Sequence, residues 1–252
     1  MPTPVVLKGC RIFAGRYDIG DRHTELSVSY EVEEKDAKNM GSGDTAVSFP
    51  GHMKVAASFK AHFAAGAVDP ATGKGEPETV ASELLGDEVP HAISVSPRKA
   101  LTGVDGRPAL FWSGHALKLT HGGAVGDIWP IEVSHGLGRS RLVRGTFLLG
   151  GLRSAPGSGT ARRLGAVGPS QRLYACVHVL RLVGTAVTLR VQSDEAAAFG
   201  SPADQIVLGP FTSPDDDFEE AAGPMADEWF RVEWSGTFTE VLAVVAVGVA
   251  AG

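Results

Sequence analysis

A chain of 252 residues, 43% of them hydrophobic, carries enough apolar surface for one large core or two small ones. Its 32 Gly and 15 Pro, set against 7% aromatic residues, make turns frequent, which favours many short strands over long helices. A net charge of -6 argues against a protein that grips nucleic acid, because that needs clustered Lys and Arg to release phosphate counterions. The opening MPTPVVLKGC lacks the basic region, apolar core and small-residue cleavage site of a secretory signal, so synthesis in a cytoplasm is expected. Cys10 and Cys176 each lie in an apolar, strand-like run and are expected as buried small hydrophobes.

Residues 5–14, VVLKGCRIFA, read as a first strand and 15–21, GRYDIGD, as the turn of a hairpin. Leu26, Val28, Tyr30 and Val32 then alternate with Ser27, Ser29, Glu31 and Glu33, the period-two pattern of a strand with one buried face. Residues 35–48, KDAKNMGSGDTAVS, hold few apolar side chains and predict a long loop that a partner would order. Past a Phe49-Pro50-Gly51 turn the alternation resumes through Met53, Val55, Ala57, Phe59 and Ala61. PETVASELLG, 77–86, is the one helix the sequence predicts: Pro77 and Glu78 mark its start, Gly86 its end, and Val80, Leu84 and Leu85 share a face. Strands follow at 92–95, 109–119 and 128–133, with HGGAVGD, 121–127, as a hairpin connection.

The stretch 149–165, LGGLRSAPGSGTARRLG, is rich in Gly, Ser, Ala and Pro and reads as a linker, which divides the chain into units 1–147 and 148–252. Beyond it, 172–182, 186–192, 205–208, 229–234 and 241–249 read as strands with no helix between them, a small β-sandwich or jelly roll. The run from Val241 onward is very apolar but shorter than the roughly twenty residues of a spanning helix, so a buried strand is expected there and no membrane partner.

Signals for chemistry are weak. His52, His62, His115, His121 and His135 match no compact ligand spacing, so no metal is expected. SPDDDFEE, 213–220, lacks the alternating ligands and central glycine of a calcium loop and reads as a solvated loop. APGSGTARR lacks the Lys-Ser/Thr ending of a phosphate loop, and neither Ser113 nor Ser134 sits in a nucleophile elbow. Catalytic and cofactor-binding residues are therefore absent from the reading, and the chain is not expected to be an enzyme. The basic run 139–144, with Arg153, Arg162 and Arg163, has no interleaved aromatics for base stacking and reads as a salt-bridge surface between subunits.

GRYDIGD, ELSVSYEVEEKD and SFPGHMKVAASF, in that order, resemble the major tail tube proteins of long-tailed bacteriophages. SELLGDEVPHAISVSP is similar to their helix and following strand, and GGAVGDIWPIEVS to their late hairpin, so the resemblance spans about 9–145. It implies a mainly β fold: a tail-tube-type β-sandwich or half-barrel with one short helix, here followed by a second small β-sandwich or jelly-roll domain. It also implies a structural virion protein without cofactors, made in the host cytoplasm, whose rings stack into the tail tube and form the channel for DNA ejection. One tube domain per chain implies a hexameric homo-oligomer, and two would give a pseudo-hexameric trimer. Other tail proteins would meet the tube ends, and genomic DNA would pass without specific binding. Within that resemblance, Lys38, Asn39, Met40, Gly41, Ser42, Gly43, Asp44 and Thr45 are the expected inter-subunit loop. Glu31, Glu33 and Asp36 are the expected lumen charges, repelling phosphates so that DNA slides. The competing reading is a carbohydrate- or receptor-binding module of a tail or capsid decoration, with Trp229, Phe230 and Trp234 as either an aromatic platform or sandwich core.

Overall fold

The structure is a computed structural model that describes residues 10–20, 23–36, 48–62, 66–97, 104–122, 130–137 and 141–252. In chain order the elements are β1 (Arg11–Ala14), β2 (Tyr17–Gly20), β3 (His23–Asp36), β4 (Ser48–His62), α1 (Pro77–Leu84), β5 (His91–Ser96), β6 (Pro108–His121), β7 (Pro130–Leu137) and β8 (Val143–Arg153). They continue with β9 (Gly157–Ser158), β10 (Arg162–Arg163), β11 (Gln171–Asp194), β12 (Ala203–Phe211), β13 (Asp215–Ala222) and β14 (Trp229–Ala251). The fold is mainly β with one short helix among the described residues, and the strand ladders are antiparallel. Among the described residues no helix is long and apolar enough to cross a membrane.

Several expected turns are strand instead. The β1–β2 reversal needs only Gly15 and Arg16, because Gly15 takes φ 56 without steric cost, so Tyr17–Gly20 is free to pair back. Pro50 and Gly51 lie inside β4 rather than at its start. A register shift between Val32 and Glu34 sits beside the Glu34↔Pro50 pair, and such an irregularity is where a ladder tolerates a residue with no N–H. The acidic segment expected as a solvated loop is β13, paired along β11 from Arg172↔Ala222 to Val179↔Asp215.

Three apolar cores follow from strand alternation. In the first, Ile12, Tyr17, Phe59, Ile93, Trp112 and Val133 pack under α1, which contributes Val80, Ala81 and Leu84. The second holds Phe13, Phe111, Phe147, Tyr174, Cys176 and Val244, and the third Leu173, Val177, Leu189, Phe230, Trp234 and Val245. β14 feeds both of these: Leu242, Val244 and Ala246 enter the second core, Ala243, Val245 and Val247 the third. A strand covered on both faces needs apolar residues at every position, which is why this stretch reads as a continuous run.

The runs expected as separate strands at 172–182 and 186–192 are one strand, β11, and those at 229–234 and 241–249 are one strand, β14. The two pair from Gln171↔Ala251 to Asp194↔Trp229, with register shifts between Val179 and Ala186. There the ribbon bends over the third core, so its proximal half with β8 and β13 faces its distal half with β9, β10 and β12. The bend requires glycine. A Cβ on Gly184 (φ 154) would lie 2.4 Å from the Phe238 Cα, and one on Gly236 (φ 136) 2.2 Å from the Ala186 carbonyl oxygen.

β8 runs through the 147/148 position at which the sequence suggests two units. It pairs with β6 through Val143–Thr146 and with β14 through Gly145–Arg153. The expected linker is thus partly strand, and Leu148 and Leu149 are buried in it.

Candidate assembly surface

β3 and β4 pair from His23↔Ala61 to Asp36↔Ser48. β7 joins β4 only from Ala57↔His135 to His62↔Pro130. Residues 29–36 and 48–56 therefore extend past the third strand as a two-stranded ribbon. Among the described residues no strand pairs with the outer edge of β3. A two-stranded ribbon is marginally stable alone in water, and a long open edge offers backbone N–H and C=O groups to another chain.

The root of the ribbon is anchored by burial. Ala57, Phe59 and Ala61 are buried, and Leu26 and Val28 pack against the first core. Phe59 stacks on His135 at 5.9 Å between ring centroids. Lys60 donates to Glu25 at 2.9 Å, an exposed pair of little energetic weight. The Cys10 Sγ lies 2.7 Å from the His23 Nε2, joining the entry of β1 to that of β3, and burial pushes the Cys10 thiol above its ordinary pKa. Both cysteines are free and buried.

Glu31, Glu33 and Asp36 all fall on this ribbon. Glu31 is opposite Lys54 and Asp36 opposite Ser48, while Glu33 sits at the register shift. Lys38 to Thr45, the expected inter-subunit loop, lie outside the described residues, in the connection between β3 and β4.

A second group of polar residues joins the early strands to the late ones. His178 is fully buried on β11, stacked on Phe13 at 5.5 Å. Its Nδ1 donates to the Gly15 carbonyl at 2.7 Å, and its Nε2 accepts from the Ser94 hydroxyl at 2.8 Å, so a neutral ring satisfies both contacts. Burial accordingly lowers its pKa. Asp216 of β13 accepts from the Ala92 N–H at 2.6 Å and faces the His91 Nδ1 at 3.0 Å. Asp18 is fully buried; it accepts from the Arg11 Nε at 2.8 Å, pairs with the Arg11 Nη2, and caps the Gly20 N–H at 2.8 Å. Sequence reasoning passed over these residues. For Asp216 a signal existed, since Asp216 and Phe218 are spaced as inward positions of a strand, but the surrounding acid masked it.

Other sequence candidates resolve differently. Phe230 and Trp234 fill the third core, and the Trp234 Nε1 donates to the Ala155 carbonyl at 2.8 Å, so an aromatic platform keeps only Trp229 of its three rings. Arg153 pairs with Asp105 at 3.7 Å and lies over the Trp234 ring, and Arg163 pairs with Glu228. Arg153 and Arg163 thus each have an acidic partner within the chain. Among the described residues no cluster of three or more His, Cys, Asp or Glu is arranged to hold a metal.

No protein-family model and no curated protein matches the chain. Among solved structures it is similar to a component of the virion of a native gene transfer agent particle, with 12% identity and a TM-score of 0.36 over 52% of this chain and 92% of that one. It is also similar to the SPP1 Dit protein, with 9% identity and a TM-score of 0.38 over 96% of this chain and 100% of the other. A third similarity is to the anti-feeding prophage baseplate, with 12% identity and a TM-score of 0.36 over 57% of this chain and 97% of that chain. These solved structures are a virion, a hub adsorption protein of phages infecting Gram-positive hosts, and a baseplate.

Proposed function

We propose that the chain is a structural subunit of a phage-type tail tube, built in the host cytoplasm and carried in the virion, with no catalytic role. The observation that supports this reading is the β3–β4 ribbon, which extends past β7 with an edge that no strand among the described residues pairs. A neighbouring copy that pairs with this edge removes the aggregation hazard of a bare strand, and repetition around a ring closes a larger barrel. The segments carrying the tail-tube resemblance include both strands of the ribbon. With one short helix and one such ribbon among the described residues, the reading favours a six-membered ring over a trimer of duplicated domains. The tube would pass DNA without binding it, in keeping with the net charge of -6.

Negative-stain microscopy of the purified full chain, beside a variant lacking residues 38–45, tests the proposal. Rings or tubes are expected from the full chain, and folded but poorly polymerising subunits from the variant. Normal tubes from the variant would remove residues 38–45 from assembly, and a full chain that stays monomeric at high concentration would overturn the tube reading.

A further inference from the structure

His91 opens β5 and stands between two carboxylates from distant parts of the chain. Its Nε2 is 2.8 Å from an Asp87 oxygen, in the connection after α1, and its Nδ1 is 3.0 Å from the Asp216 Oδ1 on β13. An ionised carboxylate only accepts hydrogen bonds, and a neutral imidazole has a single N–H to give. Both contacts together require hydrogens on both ring nitrogens, which is the imidazolium cation. The Asp216 side chain is 7% exposed and also holds the Ala92 N–H, so it has no room to turn toward water when the ring changes state.

We propose that Asp87, His91 and Asp216 form a pH-operated latch that holds β13 against β5, closed while His91 is a cation and released as it loses its proton. β13 is hydrogen-bonded as a strand to β11, and Asp216 supplies its hydrogen bonds to His91 and Ala92 of β5. The latch therefore fastens the late strands to the early ones.

The surroundings of the ring are consistent with a lone cation between two anions. From β6, the His115 Nδ1 lies 3.2 Å from the Asp87 carbonyl oxygen. His178 of β11 is buried and neutral, and His135 of β7 titrates only at about 4. Asp217 follows Asp216 on β13, and the Gly15 backbone packs against both His91 and Asp216. The hydrogen bond to Asp216 raises the His91 pKa above its ordinary 6.5, burial opposes that rise, and the charges of Asp216 and Asp87 add to it. A raised folded-state value means that the latch contributes fully below the unfolded-state pKa. Its contribution is lost as pH rises through the folded-state value, so the operating window lies above pH 6.5.

Long-range proton–nitrogen NMR on the full chain reads the state of each ring nitrogen directly. Both His91 nitrogens are expected to be protonated at pH 6, with a titration midpoint above 6.5. Asp87→Asn, at a half-exposed position, should move that midpoint down while leaving the backbone spectrum intact. Protection of the Ala92 amide from exchange, corrected for the intrinsic rate, should fall through the same midpoint. A neutral His91 at pH 6, a midpoint unmoved in Asp87→Asn, or Ala92 protection that ignores the titration would each overturn the latch. These readouts are taken on the subunit, so they stand or fall apart from polymerisation.

Discussion

Val244 and Val245 are adjacent on β14, both fully buried, and point into different cores. Replacing either with Ala removes two methyl carbons at about 0.8 kcal/mol each, and an incompletely collapsed cavity adds up to about 1 kcal/mol, for a total near 2 kcal/mol. The consequence for melting depends on how much of the chain unfolds together. With an unfolding entropy of about 2.1 cal/mol/K per residue, a 252-residue cooperative unit loses roughly 4 °C in Tm, whereas an independent unit of about 100 residues loses roughly 10 °C. Because β14 pairs with β8 on one side and β11 on the other, Val244→Ala and Val245→Ala should each lower one shared transition by the smaller amount. Differential scanning calorimetry on both variants makes the comparison. Two resolved transitions, with Val245→Ala displacing one by about 10 °C and leaving the other in place, would show that the early and late strands unfold independently despite their shared strand.

Asp18→Asn leaves the Arg11 guanidinium without this buried carboxylate and should cost about 3–5 kcal/mol in urea unfolding, whereas a loss below about 1 kcal/mol would show that the pair is dispensable. His135 is buried with neither ring nitrogen hydrogen-bonded among the described residues, and burial lowers its pKa to about 4. A folded-state value below the unfolded 6.5 means the unfolded chain takes up the proton first, so stability falls as pH drops from 6.5 to 4, by roughly 3 kcal/mol in total. His135→Phe, which preserves a ring against Phe59, should lose less across that window; acid limbs that superimpose would refute the assignment. Neutralising Glu31, Glu33 and Asp36 together should slow DNA ejection without blocking assembly, and unchanged ejection kinetics would remove these residues from the channel.

Period-two alternation made β3 and the second half of β4 legible, and the Pro77 start with the Gly86 stop placed α1 to within two residues. Legibility failed where a local signal and a tertiary demand point in opposite directions. Pro50-Gly51 is turn chemistry that a register shift absorbs into a strand, and LGG beside Leu148 has linker composition but strand packing. The acidic run at 213–220 looks solvated because three of its residues in succession are Asp, yet β11 supplies a ladder along it and His91 a partner for Asp216. Periodicity also could not show that two apolar runs form a single bent strand, since the bends at Gly184 and Gly236 resemble ordinary turns. For the assembly surface the sequence located the strands, but not that β7 leaves half of the hairpin without a third strand; that depends on pairing across distant parts of the chain.

The position of β14 bears on how such a subunit is made. It follows every other strand in sequence yet lies between β8 and β11, and Gln171 must wait for Ala251 before its ladder can close. Pairings so distant along the chain are slow to form, and during translation β8 and β11 exist for some seconds with bare facing edges. A polypeptide broken off before Trp229 would keep those edges and lack the middle of two cores. Synthesis of β14 thus becomes a checkpoint: only molecules that have received this strand can close the ladders of β8 and β11 against it.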